Sequence, residues 1–403
     1  MPNLRWSLGP DPWALTSAAL PCRAETVIRG RERSARLHKL ARSFYRRRRR
    51  ALVQILRVPQ LMRTVYPRRR TIAAALSAAA LLALSASCGG GSPASPSPVD
   101  GPNAPGGDTG VRLGDDFAGR QLFPGDNWWN QDISAAPVDS GSSAFIDFIG
   151  RSRQAHPDFG PAPYGFPYLS VPGTQTRVPV TFVAWPGESD TGAAGISGYP
   201  IPEMARTQPN VIEGGVAGGG TSGDRHLLIV DRDRWLLYEM AATRWNPVAQ
   251  RWEANVGAIF DLASNARRPE GWTSSDAAGL AILPGLVRYD EAVRGPIRHA
   301  MRVTVRATNG YVWPASHQAG NTGGALPMGA RLRLKASKDL SSYPPIVRNI
   351  FRGMQTHGLI VADNGTDLYV SGAMDSRWNN DELNPAFRSL TANDFEVVSL
   401  GWR

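Results

Sequence analysis

The run Leu359-Ile360-Val361-Ala362-Asp363-Asn364-Gly365-Thr366-Asp367-Leu368-Tyr369-Val370 decides how this chain is read. Four apolar residues, an Asp-Asn-Gly interruption and a second apolar run are the pattern of two short strands joined by a tight hairpin turn. Asn-Gly accepts the positive φ angles that such a turn needs. Just upstream, Pro344-Pro345 is followed by Ile346, Ile350 and Met354 at helical spacing, and Gly358 then breaks the pattern. That predicts a helix over 341–357, opened by proline and stopped by glycine.

Working outward, short strand-like runs recur between Gly, Pro, Asn and Asp clusters. Residues 178–185 alternate Val, Val and Phe with Pro and Thr. Residues 226–230 and 235–240 flank Asp231-Arg232-Asp233-Arg234 as a second hairpin. Further strands are expected at 257–262, 301–305, 311–313, 330–334 and 395–400. In 330–334, Leu332 and Leu334 alternate with Arg331, Arg333 and Lys335, the pattern of a strand with one face in water. A second helix is expected over 143–153, and no solenoid or propeller period is present. The expectation is a mainly β fold: a single β-sandwich or jelly-roll-like domain over 111–403, with two or three helices and long loops.

The chain ahead of that domain has another composition. Residues 1–87 hold 18 Lys and Arg against 3 Asp and Glu, so a chain of net charge +11 leaves residues 88–403 at −4. The basic balance therefore gives no reason to expect a nucleic-acid partner. Arg68, Arg69 and Arg70 precede an apolar run over 72–84 that is too short to span a bilayer and ends in small residues. With Leu84-Ser85-Ala86-Ser87-Cys88, this stretch resembles a bacterial lipoprotein signal, although Ser85 replaces the usual branched residue. The resemblance implies lipidation of Cys88, export, and anchoring to the bacterial membrane with the protein facing periplasm or exterior. Residues 1–61 then read as an unfolded upstream extension, with Met62 an alternative start, and 62–87 as the signal peptide. Residues 88–110, rich in Gly, Pro and Ser, read as a disordered tether some 25 Å in reach. The second cysteine, Cys22, lies upstream, so the domain is expected to have no disulfide, thiolate ligand or cysteine nucleophile.

Five places in the domain mix residue types that chemistry uses. Glu213, a glycine-rich run, and Asp224-Arg225-His226 bring three polar chemistries to the start of a strand; an ordinary ion pair beside a half-buried histidine reads equally well. Glu239 shares a face with Leu237 if 235–240 is a strand, and apolar surroundings would raise its pKa as a general acid requires; a solvated strand carboxylate is the reading the pattern favours. Arg268, Trp272 and Asp276 could line a sugar groove, or order a loop over the core. Trp313 and His317 form a fourth group. Asp375, Asn379 and Asp381 offer oxygens that could suit calcium, the one cofactor considered; a helix N-terminus explains the same residues. No nucleophile elbow, zinc helix or Walker loop is present.

The segments GDRHLLIVDRD, GAIFDLASN, GWTSSDAAGL, ILPGLVRYDE and HGLIVADNG are similar to a group of secreted β-rich bacterial proteins. No activity is assigned to that group, so the resemblance transfers no catalytic residues. Ten tryptophans beyond residue 88 and the tethered export reading point to a surface-anchored carbohydrate-active protein. As a glycoside hydrolase it would use Glu213, Asp224 or Glu239. As a polysaccharide lyase it would use His226 or His317 as base, with Arg225 neutralising a uronate. The alternative is a non-catalytic lipoprotein that binds a polysaccharide or envelope glycan.

Overall fold

The computed structural model describes residues 110–403; Cys88, the signal and almost all of the tether lie outside the described residues. The fold is mainly sheet, with sixteen strands and five α-helices among the described residues, and no helix there is long and apolar enough to cross a membrane. A five-stranded sheet runs in the order Arg112–Leu113, Tyr168–Val171, Leu227–Asp231, Leu236–Ala241, Val256–Asp261. A six-stranded sheet runs Phe395–Val397, Arg331–Leu334, Leu359–Asn364, Met301–Val305, Tyr369–Ser371, His156–Asp158. Both are mixed, each containing parallel and antiparallel neighbours, and two smaller sheets complete the set.

Strand period explains the packing. In the Leu227–Asp231 strand, Leu228 and Val230 join the main hydrophobic cluster together with Val303, Leu332 and Val361 of the six-stranded sheet. Leu227 and Ile229 point the other way, into a second cluster with Tyr199 and Trp252. The five-stranded sheet is thus covered on both faces. On the six-stranded sheet, helix Pro345–Thr356 lies so close that a Cβ on Gly353 would sit 2.8 Å from Met301 Cε.

The 226–230/235–240 hairpin forms as expected, Leu227–Asp231 pairing antiparallel with Leu236–Ala241. Gly358 caps its helix at φ +75°, its N–H reaching the Gly353 carbonyl at 3.2 Å. The Asn364-Gly365 hairpin does not form. Leu359–Asn364 and Tyr369–Ser371 are both strands, but Met301–Val305 lies between them, parallel to the first and antiparallel to the second. The link crosses over the end of that inserted strand, so Gly365 donates to Val305 O at 2.9 Å and Thr304 Oγ1 bonds Thr366 O at 2.6 Å. Neither Asn364 nor Gly365 has a positive φ.

Other expectations need correcting. Residues 311–313 contribute one bridge, Tyr311 to Met328, and no strand. Arg331 and Arg333 are buried, because no face of Arg331–Leu334 meets water. Five helices replace the two or three expected. Met204–Thr207 and Tyr289–Arg294 are too short to show a 3.6-residue period, and Asn380–Arg388 contains Pro385.

Candidate functional site

His226 enters its strand on the face of Leu228, and the register sets Leu228 opposite Glu239 on the neighbouring strand. Alternation therefore carries both polar side chains into the main core. His226 Nδ1 meets Glu213 Oε2 at 2.6 Å, and Nε2 meets the Ser275 carbonyl at 3.0 Å. Both partners are acceptors, so both nitrogens carry protons and the ring is an imidazolium. Burial alone would lower the His226 pKa; the Glu213 charge and hydrogen bond overcome it and raise the value to about 9. For Glu213, burial works upward and His226 works downward, with the net result below the ordinary range.

Ser275 joins this pair to Glu239, since its hydroxyl donates to Glu239 Oε2 at 3.0 Å. The same carboxyl accepts the Ile282 and Leu283 N–H groups at 2.9–3.0 Å. Glu239 is fully buried, and burial pushes it up to about 7 against those bonds.

Next along the loop, Asp276 takes Arg302 Nε at 3.1 Å and Nη2 at 2.9 Å. Arg302 also reaches Asp363 at 2.9 Å and Ser371 Oγ at 2.8 Å, so all three guanidinium nitrogens are engaged. Its Cζ stands 5.5 Å from the centroid of the Phe166 ring, which lies 5.3 Å from the His226 ring. Burial pushes Asp276 up to about 6, with Arg302 pulling it down.

Two carboxylates of this group reach the surface. Glu213 is half-buried, and Asp158 is exposed at the end of the edge strand whose partner is Ser371. The packed surroundings raise the Asp158 carboxyl; His156 and Arg302 oppose that, and the Glu213 charge adds to it. At the rim, a Cβ on Gly215 would lie 3.5 Å from Pro163, and the next residue, Tyr164, is 64% exposed.

The structure thus brings together Glu213, His226, Glu239 and Asp276 of the expected residues. It sets the others elsewhere. Asp224 is exposed, and Arg225 turns to the carbonyls of Gly223 and Ala242 at 2.5 and 3.4 Å. His317 Nδ1 bonds the Ala277 carbonyl at 2.8 Å. Arg268 is buried and spent on Thr273 O, Asp190 and Glu188 O, with Trp272 stacked 5.4 Å from its Cζ. Trp313 packs edge-on against Trp128 with ring centroids 6.2 Å apart. Asp375 is paired with Arg377 at 2.5 Å, while Asn379 caps Asn380–Arg388 by accepting the Asp381 N–H at 3.1 Å. The helix N-terminus accounts for Asn379 and Asp381, and the Arg377 pair for Asp375. Among the described residues no group of three or more His, Cys, Asp or Glu side chains is placed to hold a metal ion.

Sequence reading missed Arg302, Asp158, Ser275 and Tyr164. Arg302 sits in a strand where polar alternation reads as solvent exposure, and His156–Asp158 is too short, with Pro157 at its centre, to declare a strand. Comparison of the chain with family models, curated proteins and solved structures gives no match.

Proposed function

We propose that this is a surface-anchored carbohydrate-active protein, a glycoside hydrolase whose working carboxylates are Asp158 and Glu213. One observation carries the reading: two surface-reaching carboxyls, coupled to each other and to Arg302, have pKa values driven in opposite directions. Glycoside hydrolysis needs one carboxyl held protonated for the leaving oxygen and one held ionised to attack or to activate water. Asp158, the carboxyl driven upward, is assigned the acid role and Glu213, driven downward, the ionised one, with Tyr164 offering a ring face to a sugar. The lyase version with His226 as base is not carried forward, because both ring nitrogens already donate.

A non-catalytic glycan-binding role is the second reading, favoured by the hydrogen bond that occupies Glu213 Oε2. The Cys88 lipid anchor, the export to periplasm or exterior and a sandwich of the two large sheets belong to the same proposal. The 68–88 pattern supports the first two, and the shared hydrophobic cluster supports the third.

A polysaccharide array with a reducing-end readout tests the reading. New ends are expected from the wild type, falling about 100-fold or more in Asp158→Asn and Glu213→Gln with glycan retention kept. Retention without new ends moves the protein to the second reading; neither retention nor new ends overturns both.

A further inference from the structure

A cleft of about 580 Å³ opens along the edge strand that carries Asp158, with Arg153, His156, Asp367, Tyr369, Asn384 and Arg388 in its wall. His156 and Asp158 share one face of that strand, about 7 Å apart along it. The cleft is therefore within reach of the next residue of a chain bound at Asp158.

Its wall is cationic. Asp367 is its one carboxylate, and Arg306 Nη1 engages it at 2.6 Å, leaving Arg153 at 3.9 Å. Arg306 also binds the carbonyl of Ile149 at 3.0 Å, which offsets the negative end of helix Ser142–Ile149 where that helix borders the cleft. Arg388 Nε reaches the Asn384 carbonyl at 3.2 Å, and among the described residues the side chain meets no carboxylate. Asp381 lines an adjoining hollow and not this cleft. Burial holds His156 below its ordinary pKa, so at neutral pH it contributes a ring and no charge. That ring lies 4.4 Å from Tyr369, centroid to centroid, forming an aromatic wall. Asn384 adds a side-chain amide to the polar part of the wall.

We infer that this cleft is a subsite for an acidic sugar, its carboxylate held by Arg388 and Arg153 and its ring lying against Tyr369. Charge selection rests on the cleft alone; that the ligand is a sugar rests on the proposed function. Among the described residues Arg388 has no competing carboxylate, and Asp367, 3.9 Å from Arg153, is held at 2.6 Å by Arg306, so both guanidinium groups can take a ligand carboxylate by charge-assisted hydrogen bonds.

Calorimetric titration of the full-length protein with trimers of galacturonate, glucuronate and mannuronate, each beside its methyl ester, tests the inference. At least one acid trimer should bind tenfold or more tightly than its ester. Arg388→Met should lower that affinity about tenfold without moving the ester's. Arg388 is exposed, so folding should survive; Arg153→Gln gives a second reading from another element. Equal affinities for acid and ester, no response to either variant, or no binding of any trimer overturns the inference. Cleavage of neutral glycans without acid preference sinks the subsite and leaves the hydrolase. Acid-selective binding without cleavage does the reverse.

Discussion

Replacing His226 by glutamine probes the ionic centre most directly. The imidazolium donates to Glu213 at 2.6 Å and to the Ser275 carbonyl at 3.0 Å, and its pKa rises from 6.5 to about 9. At 1.36 kcal/mol per pH unit, that rise is worth roughly 3 kcal/mol of preference for the charged ring in the folded state. Because the folded value lies above the unfolded one, this stability is fully present below pH 6.5 and is lost as pH rises through 9. Urea unfolding of the wild type should therefore lose about 3 kcal/mol to this residue between pH 6 and pH 9.5. Glu239, raised from 4.5 to about 7 by burial, sheds its own contribution mostly below that window. Comparison with the variant removes what remains. Glutamine donates to one acceptor at most and carries no charge, so His226→Gln should be about 2–4 kcal/mol less stable at pH 6 and approach wild type at pH 9.5. A gap that stays constant across the window would show that the ring is neutral, and the ionic account of this site would fall with it.

Two other substitutions test local readings. Gly358→Val places a β-branched residue at φ +75° with its Cβ 2.6 Å from Leu332 O and from Ile133 Cδ1; a loss of roughly 3 kcal/mol or more is expected in urea melts, and a loss under about 0.5 would contradict the cap geometry. Cys88→Ala should leave a protein that no longer enters the detergent phase on phase separation; continued partitioning with membranes would refute the lipid anchor.

How far the fold was legible depended on how many neighbours each strand has. Met301–Val305 and the Leu227–Asp231 hairpin were readable because apolar runs bounded by turn residues declare a strand without saying what it pairs with. The hairpin succeeded because its two strands pair directly through Asp231-Arg232-Asp233-Arg234, with the Asp231 carboxylate accepting the Arg234 N–H at 3.0 Å. The Leu359–Asn364 segment looked like a stronger case, since Asn-Gly is the commoner turn signal. It failed because the link through Gly365 to Leu368 is long enough to step over one strand. Once Met301–Val305 occupied that place, the turn had no need for positive φ at Asn364. Local turn chemistry marked a reversal of direction correctly, but a partner from 60 residues upstream decided the pairing.

The candidate site shows the same limit from the side of polarity. Alternation placed Glu239 with Leu237, so that one part of the ionic centre could be read from period two alone. The rest was hidden because alternating polar residues, Arg302 and Thr304 in Met301–Val305 and the two arginines of Arg331–Leu334, suggest an open face, whereas Arg302, Arg331 and Arg333 are all under a tenth exposed. Each solves its burial differently. Arg302 is surrounded by Asp276, Asp363 and Ser371. Arg333 takes Glu396 at 2.7 Å and the carbonyls of Ile133, Ser134 and Ala136. Arg331 has no carboxylate, and burial lowers it to about 10, so it stays charged at neutral pH on the Trp128 carbonyl at 2.7 Å and Gln131 at 3.3 Å. A charge taken from water is costly unless partners gather round it, and a strand cannot supply them from its own sequence. Alternating charge in a strand therefore marks solvent only where one face stays bare. Where both faces are covered, it marks positions at which distant segments must converge. In this protein Asp276, Asp363 and Ser371 converge on Arg302, and its charge also pulls the carboxyl pKa values of Asp158 and Glu213 downward.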